Sequence, residues 1–180
     1  MKQLKEDFEF VLQLAKEFFV QDEIVQKLQK FKNPKCEIKG WEIWFQVEFA
    51  LFLQDHAQVS EIEREKKFQM DMRKSKEKTS CSIDFFIRQK HKQSFIPLEL
   101  KQDAAAAACI RHMLRDIHKF NKIRNTTMST GRSLWCLGVH EHVSDDYMAR
   151  LIHENQYFKL DPKFTSTVAI QDTDFSFTVF

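Results

Sequence analysis

The sequence predicts an α/β fold in which helices pack against a sheet, with the core elements in the order helix, three strands, helix, strand. Three observations carry this expectation. A dense apolar stretch, "WEIWFQVEFALFLQDH", follows Gly40 and reads as a helix. Three stretches rich in β-branched and aromatic residues come next, "VSEIEREKKFQMDM", "CSIDFFIRQ" and "SFIPLELKQ", separated by polar linkers rich in Lys and Ser. Helical spacing then returns in "DAAAAACIRHMLRDIHKFNKI", and an extended pattern follows in "SLWCLGVHEH".

Each remaining element has its own signal. Phe8, Val11, Leu12, Ala15, Phe18 and Phe19 recur at the spacing of one helix face, a second apolar run follows at Ile24, Val25, Leu28 and Phe31, and Asn33-Pro34 ends the segment. In the helix after the strands, Asp103 is the expected N-cap, and Cys109, Ile110, Met113, Leu114, Ile117 and Phe120 form the buried stripe. The run Ala104 to Ala108 favours helix and lets that end approach a sheet closely. "SDDYMARLIHENQYF" is a further helix starting at Ser144 or Asp145, and "TSTVAIQDTDFSFTVF" is one hairpin or two short strands. With 180 residues and no Ser/Gly/Pro-rich linker, the chain is expected to form one domain: a helical extension over 1–40, a core over 41–142, and a helix with strands over 143–180.

Composition excludes several classes. At 43% hydrophobic and 30% charged, with 3 Gly and 3 Pro, the chain is neither collagen-like nor a Gly/Pro-rich disordered segment. Cys36, Cys81, Cys109 and Cys136 are far apart and form no C-x-x-C pair, so reduced thiols and a cytoplasmic location are expected, with no membrane span and no signal-peptide pattern. The net charge of +2 is uninformative, but between Arg64 and Lys92 ten basic residues face four acidic ones. Such a field attracts nucleic acid, unless it belongs to a solvated, salt-bridged hairpin.

The informative residues are charges inside apolar strands. Side chains alternate along a strand, so Glu99 and Lys101 in "IPLELK" share one face while Leu98 and Leu100 take the other. Asp84 interrupts "SIDFFI" in the preceding strand, and a hairpin through "RQKHKQ" brings it to the same pocket. A bare carboxylate among apolar residues costs several kcal/mol unless compensated, and a divalent cation with a taste for hard oxygen ligands is one compensation. Glu48 interrupts the apolar stripe of the preceding helix, four residues from Trp44, and either faces the same pocket or snorkels to pair with a Lys.

Asp84 in "SIDFFI", Glu99-Leu100-Lys101 in "IPLELK" and Glu48 in the helix before them together resemble the PD-(D/E)XK nuclease superfamily, whose restriction-endonuclease-like core is αβββαβ with a mixed central sheet flanked by helices. The resemblance covers roughly residues 41 to 142 and departs from the motif in having Ile83 rather than Pro before Asp84. It implies a metal-dependent endonuclease that hydrolyses phosphodiester bonds, in DNA ahead of RNA, with Mg²⁺ or Mn²⁺ as cofactor. By position it implies that Asp84 and Glu99 bind the metal with the backbone carbonyl of Leu100, that Lys101 is catalytic, and that Glu48 assists as a further catalytic or metal-binding carboxylate. Glu65 and Gln102 fall at accessory positions, Gln102 equally as a cap before the next helix. Nucleases that cut both strands of a duplex often pair two active sites, which makes a homodimer one implied arrangement.

Candidate contacts to nucleic acid are Arg73, Lys74, Lys76 and Lys78 in one loop, Lys90 and Lys92 in the next, and Arg111, Arg115 and Lys122, which with His118 form a basic helix face. A zinc pair of His140 and His142 lacks further ligands at supporting spacing. The competing readings are a catalytically inactive member of the same fold that binds nucleic acid or a protein partner, and an unrelated interaction protein in which Glu99 and Lys101 form an ordinary salt bridge worth about 0 to 1 kcal/mol.

Overall fold

A computed structural model describes residues 1–33, 35–71, 80–123, 131–153 and 160–180. In chain order the elements are α1 (Lys2–Phe19), α2 (Asp22–Phe31), α3 (Glu42–Asp55), β1 (Val59–Gln69), β2 (Ser80–Gln89), β3 (Ile96–Gln102), α4 (Ala106–Phe120), β4 (Trp135–Glu141), α5 (Asp145–His153), a 3₁₀ turn at Pro162–Phe164, β5 (Ser166–Ala169) and β6 (Phe175–Val179). The apolar periodicity of the first thirty residues belongs to two helices, broken after Phe19 because the exposed Val20 and the extended Gln21 redirect the chain.

The six strands form one mixed sheet in the order β1-β2-β3-β4-β6-β5. β1, β2 and β3 are antiparallel neighbours, and α4 provides the crossover that lets β4 lie parallel to β3. The C-terminal strands form an antiparallel hairpin, and β6 pairs with β4, so this segment extends the same sheet. Pro97 sits at the second position of β3, ahead of the Leu98–Trp135 pair that opens the ladder to β4, so its missing N–H interrupts no bond on that side.

Two apolar layers cover the sheet. On one face, α1, α2 and α3 pack Phe18, Leu28, Phe45 and Phe49 in one apolar layer with Phe85, Leu98, Leu100 and Phe177. On the other, α4 and α5 pack Cys109, Met113, Phe120 and Met148 onto Ile83, Phe86 and Cys136. The N-terminal segment is therefore part of the main core, and Asp7 of α1 is tied to Arg132, which also donates to Ser94 Oγ at 2.7 Å. The close approach of α4 occurs over Gly138 of β4, where an added Cβ would lie 2.4 Å from Met113 Sδ and 2.6 Å from Cys109 Sγ. α4 begins later than Asp103: that side chain accepts from Ala105 N two residues on, forming a turn ahead of the helix rather than its N-cap.

Candidate active site

The site lies where two neighbouring strands part. The β2–β3 ladder runs from Ile87–Ile96 to Phe85–Leu98 and stops there. Beyond that point Ser80–Ile83 stay paired with β1, whereas Glu99–Gln102 pair with β4. Asp84 and Glu99, one step past the last pair, stand at the mouth of this fork. Asp84 Oδ2 accepts from Leu100 N at 2.8 Å, so a side chain takes the place of the strand carbonyl that the divergence removes.

The opening coincides with a twist in β2. Phe85 packs with the α3-side layer and Ile83 with the α4-side layer, although strict alternation would put both on one face. Across from this step, Glu65 of β1 has φ +52°, a left-handed conformation that a non-glycine residue adopts only at a cost. The local strain in β1 and the reversal in β2 together turn Asp84 toward the fork.

Glu99 is buried, hydrogen-bonded to Asp84, and pushed up to about 10, first by burial and then by the neighbouring Asp84 charge. Burial and the neighbouring charge therefore favour the protonated form of Glu99, whose carboxyl is hydrogen-bonded to Asp84. Lys101 lies on the same face, with Nζ 3.2 Å from Asp116 Oδ2, 3.6 Å from Glu42 Oε1 and 3.8 Å from Glu99 Oε2. Burial alone would lower its pKa, but Asp116, Glu99, Glu42 and Asp84 together outweigh burial and raise it. The same ammonium donates to the Leu100 carbonyl at 3.1 Å.

The structure thus brings Asp84, Glu99, the Leu100 carbonyl and Lys101 together, and adds two acids. Glu42, in the first turn of α3, reaches Lys101 and also accepts from Gln102 N at 3.1 Å. Asp116 of α4 is buried and holds both Lys101 and Lys119. Glu48, the helix acid expected at the site, is instead engaged by Lys27 Nζ at 2.6 Å and Trp44 Nε1 at 2.9 Å, because six residues, about 1.7 turns, separate it from Glu42 and turn it to a different side of α3, beside α2. Glu65 is exposed and lies 3.8 Å from Arg64 Nη2, and Gln102 contributes its backbone N–H.

The expected basic contacts scatter. Lys90 and Lys92 sit at the closed end of the β2–β3 hairpin, six and eight residues from Asp84, or roughly 20 Å along the strand or more, and Lys92 pairs with Glu6. Arg111 and Arg115 occupy the exposed face of α4, and Lys122 follows its end with its carbonyl accepting from Asp71 N at 2.8 Å. Arg73, Lys74, Lys76 and Lys78 lie outside the described residues. Lys119 and Lys67 are the cations that line a cleft of about 320 Å³ beside Glu99 and Asp116. His140 and His142 form no zinc pair: His140 contacts Thr178 Oγ1 at 2.9 Å and the Glu141 carbonyl at 2.8 Å, and His142 contacts Ser176 Oγ at 2.9 Å.

Chemically, this is a partly buried set of hard oxygen donors around one ammonium, at the open end of a sheet fork. Among the described residues no group of three or more His, Cys, Asp or Glu side chains is arranged to hold a metal ion. No described helix is long and apolar enough to cross a membrane. Compared with family models, curated proteins and solved structures, the chain finds no match.

Proposed function

We propose that this chain is a divalent-metal-dependent nuclease of the PD-(D/E)XK type, hydrolysing phosphodiester bonds in nucleic acid with Mg²⁺ or Mn²⁺ as cofactor and DNA as the preferred substrate. The observation that carries the reading is the contact between Asp84 and Glu99 at the fork, with Lys101 Nζ 3.8 Å from Glu99 Oε2. The order α3-β1-β2-β3-α4-β4, with two antiparallel steps and one parallel crossover, supports it as the αβββαβ order that the motif implies.

The donor set fits a hard cation: two carboxylates in contact, sharing a proton that positive charge would displace, and a strand carbonyl beside them. Asp84, Glu99 and the Leu100 carbonyl are the groups that would hold Mg²⁺ or Mn²⁺, which when bound supplies Lewis acidity toward a phosphodiester. Glu99 must give up its proton to serve as a ligand. Lys101, freed from the Leu100 carbonyl, places positive charge where a phosphoryl oxygen gains negative charge. Glu42 and Asp116 position that ammonium from opposite sides of the strand end.

A second reading rests on a specific observation. Lys101 is already neutralised by acids and Glu99 is protonated, the arrangement expected of a nuclease-like protein that binds nucleic acid or a protein partner without cutting. One experiment separates the two. Plasmid, single-stranded DNA and RNA are incubated with the protein in Mg²⁺, Mn²⁺ or EDTA, beside Asp84→Ala and Lys101→Ala. Metal-dependent cleavage lost in both variants is the expected result, and salt-sensitive binding without cleavage overturns the enzymatic assignment.

A further inference from the structure

The outer face of α3 is apolar and open. Phe45, Phe49 and Leu53 turn inward to the core, Trp44 and Glu48 turn toward α2, and Ile43, Val47, Leu51 and Gln54 are left facing outward. Ile43 is 75% exposed, Val47 44% and Leu51 54%. Each step from Ile43 to Leu51 is four residues, so the three side chains make one stripe along the helix, with no charge on it before Asp55. A helix that is apolar all round is ordinarily buried all round, and a contiguous apolar patch left on a surface marks a contact with another macromolecule.

We propose that this stripe is the contact between two copies of the chain, which pair through α3, antiparallel, about a two-fold axis at Val47. The stripe is self-complementary, as such an axis requires. Ile43 and Leu51 lie four residues on either side of Val47, so each Ile43 meets Leu51 of the second copy and the two Val47 side chains meet on the axis. Charge follows the same register. Asp55 ends α3 at the negative end of its helix, with no basic residue in that last turn, where a carboxylate is disfavoured. Asp55 is eight residues after Val47 and the exposed Lys39 eight before it, so the pairing carries each Asp55 to the positive helix end and the Lys39 ammonium of the other copy. A parallel pairing satisfies neither relation. α3 has 14 residues and is about 21 Å long, so the contact buries less than the ~1,600 Å² of a standard interface, and the dimer is expected to be weak, with a Kd on the order of 10 μM. The pairing is independent of the nuclease reading, because the stripe contains none of the residues of the acid-lysine site.

Sedimentation velocity of the full chain in EDTA, from about 1 to about 500 μM, is expected to show a monomer converting to a dimer. Val47→Glu sets two carboxylates face to face on the axis and is expected to raise Kd more than tenfold while the far-UV circular dichroism stays unchanged. Cysteine cross-linking reads the register. In a Cys36→Ser background, which removes the exposed cysteine, Val47→Cys is expected to give a disulfide-linked dimer on mild oxidation. Ile43→Cys and Leu51→Cys are expected to link to each other when mixed and not to themselves, since two copies of either position lie about 12 Å apart along the paired helices. A chain that is monomeric at about 500 μM overturns the proposal, as does a dimer that withstands Val47→Glu, or one in which Ile43→Cys or Leu51→Cys links to itself. Should Val47→Glu fail to fold, the cysteine variants decide alone, and absence of the Val47→Cys dimer overturns the pairing.

Discussion

Lys101 Nζ lies closer to Asp116 Oδ2, at 3.2 Å, than to either of its other acidic neighbours, so the strand that presents the lysine is fastened to the helix that crosses over it. Asp116 is itself shared with Lys119, one turn along α4. Removing it leaves the Lys101 ammonium, only 19% exposed, without its nearest countercharge. Asp116→Ala is expected to cost about 2 to 3 kcal/mol, below the range for a fully buried pair because Glu42 and Glu99 remain. For a chain of this size that lowers Tm by about 5 to 10 °C, measurable by calorimetry. Asp116→Asn keeps the shape and loses the charge, and in a cleavage assay it should reduce kcat about tenfold or more with a smaller effect on KM, as loss of positioning does.

The protonated Glu99 gives a prediction with a definite sign. Its folded pKa lies above its unfolded value of 4.5, so the folded state binds the extra proton. Its stabilising contribution is full below about pH 4.5 and is lost as pH rises through the interval up to about 10. Glutamine mimics the protonated acid and keeps a donor toward Asp84. Glu99→Gln should therefore raise Tm in EDTA by several degrees, by a margin that widens from pH 6 to pH 9, while abolishing metal-dependent cleavage. A Tm that falls in the variant, or a margin that narrows with rising pH, would contradict the shared proton.

Charge inside apolar strands was the legible part of this site. Asp84, Glu99 and Lys101 violate their local pattern, and a violation has to be compensated somewhere. Their convergence was readable because period-two alternation fixes Glu99 and Lys101 on one face. Asp116 is equally readable: it occupies the stripe Cys109, Met113, Asp116, Phe120, where each step is three or four residues. Nothing in the sequence sets Glu42 apart from Glu48, because α3 is apolar on nearly every face and no stripe singles out the acid that turns inward. The fork and the twist at Asp84 leave no pattern in the sequence, since they depend on β2 and β3 choosing different neighbours.

A pH effect of the opposite sign comes from the other end of β4. His140 is fully buried, its ring nitrogens engaged by the Glu141 carbonyl and the Thr178 hydroxyl, and Thr178 continues to Thr167 Oγ1 at 2.8 Å. Because a carbonyl only accepts, Nδ1 carries the proton and Nε2 accepts from Thr178. Burial lowers the pKa below 6.5, so this contribution is complete above that value and is lost as pH falls through the folded pKa. The unfolding free energy should drop below about pH 6.5 with a slope of up to about 1.4 kcal/mol per pH unit, followed by denaturant titration, and His140→Gln should flatten that limb at some cost to stability at pH 8.

Gly138 sets the distance between α4 and the sheet. It is the β4 partner of Lys101 and lies under Cys109 and Met113, where a methyl group would sit inside their sulfur atoms. Gly138→Ala should cost about 1 to 3 kcal/mol through overpacking. Met113→Ala makes room for the new methyl group, so the double variant should cost less than the sum of the two single changes, a non-additivity readable from denaturant midpoints. Strict additivity would show that α4 does not rest on this glycine.

Glu42 and Glu48 share a helix, and comparing them isolates the site from the scaffold. Glu48 holds Lys27 and Trp44, a half-buried tether between α2 and α3, so Glu48→Ala should cost about 1 kcal/mol and leave cleavage unchanged once the protein is folded. Glu42 holds Lys101 and Gln102 N at the site itself. Glu42→Gln preserves a carbonyl acceptor for the Gln102 N–H but removes the charge beside Lys101, so its effect on Tm should be small while kcat falls. If instead Glu48→Ala were to abolish cleavage with Tm intact and Glu42→Gln were silent, the helix acid of the site would have to be reassigned, and Lys101 would owe its placement to Asp116 alone.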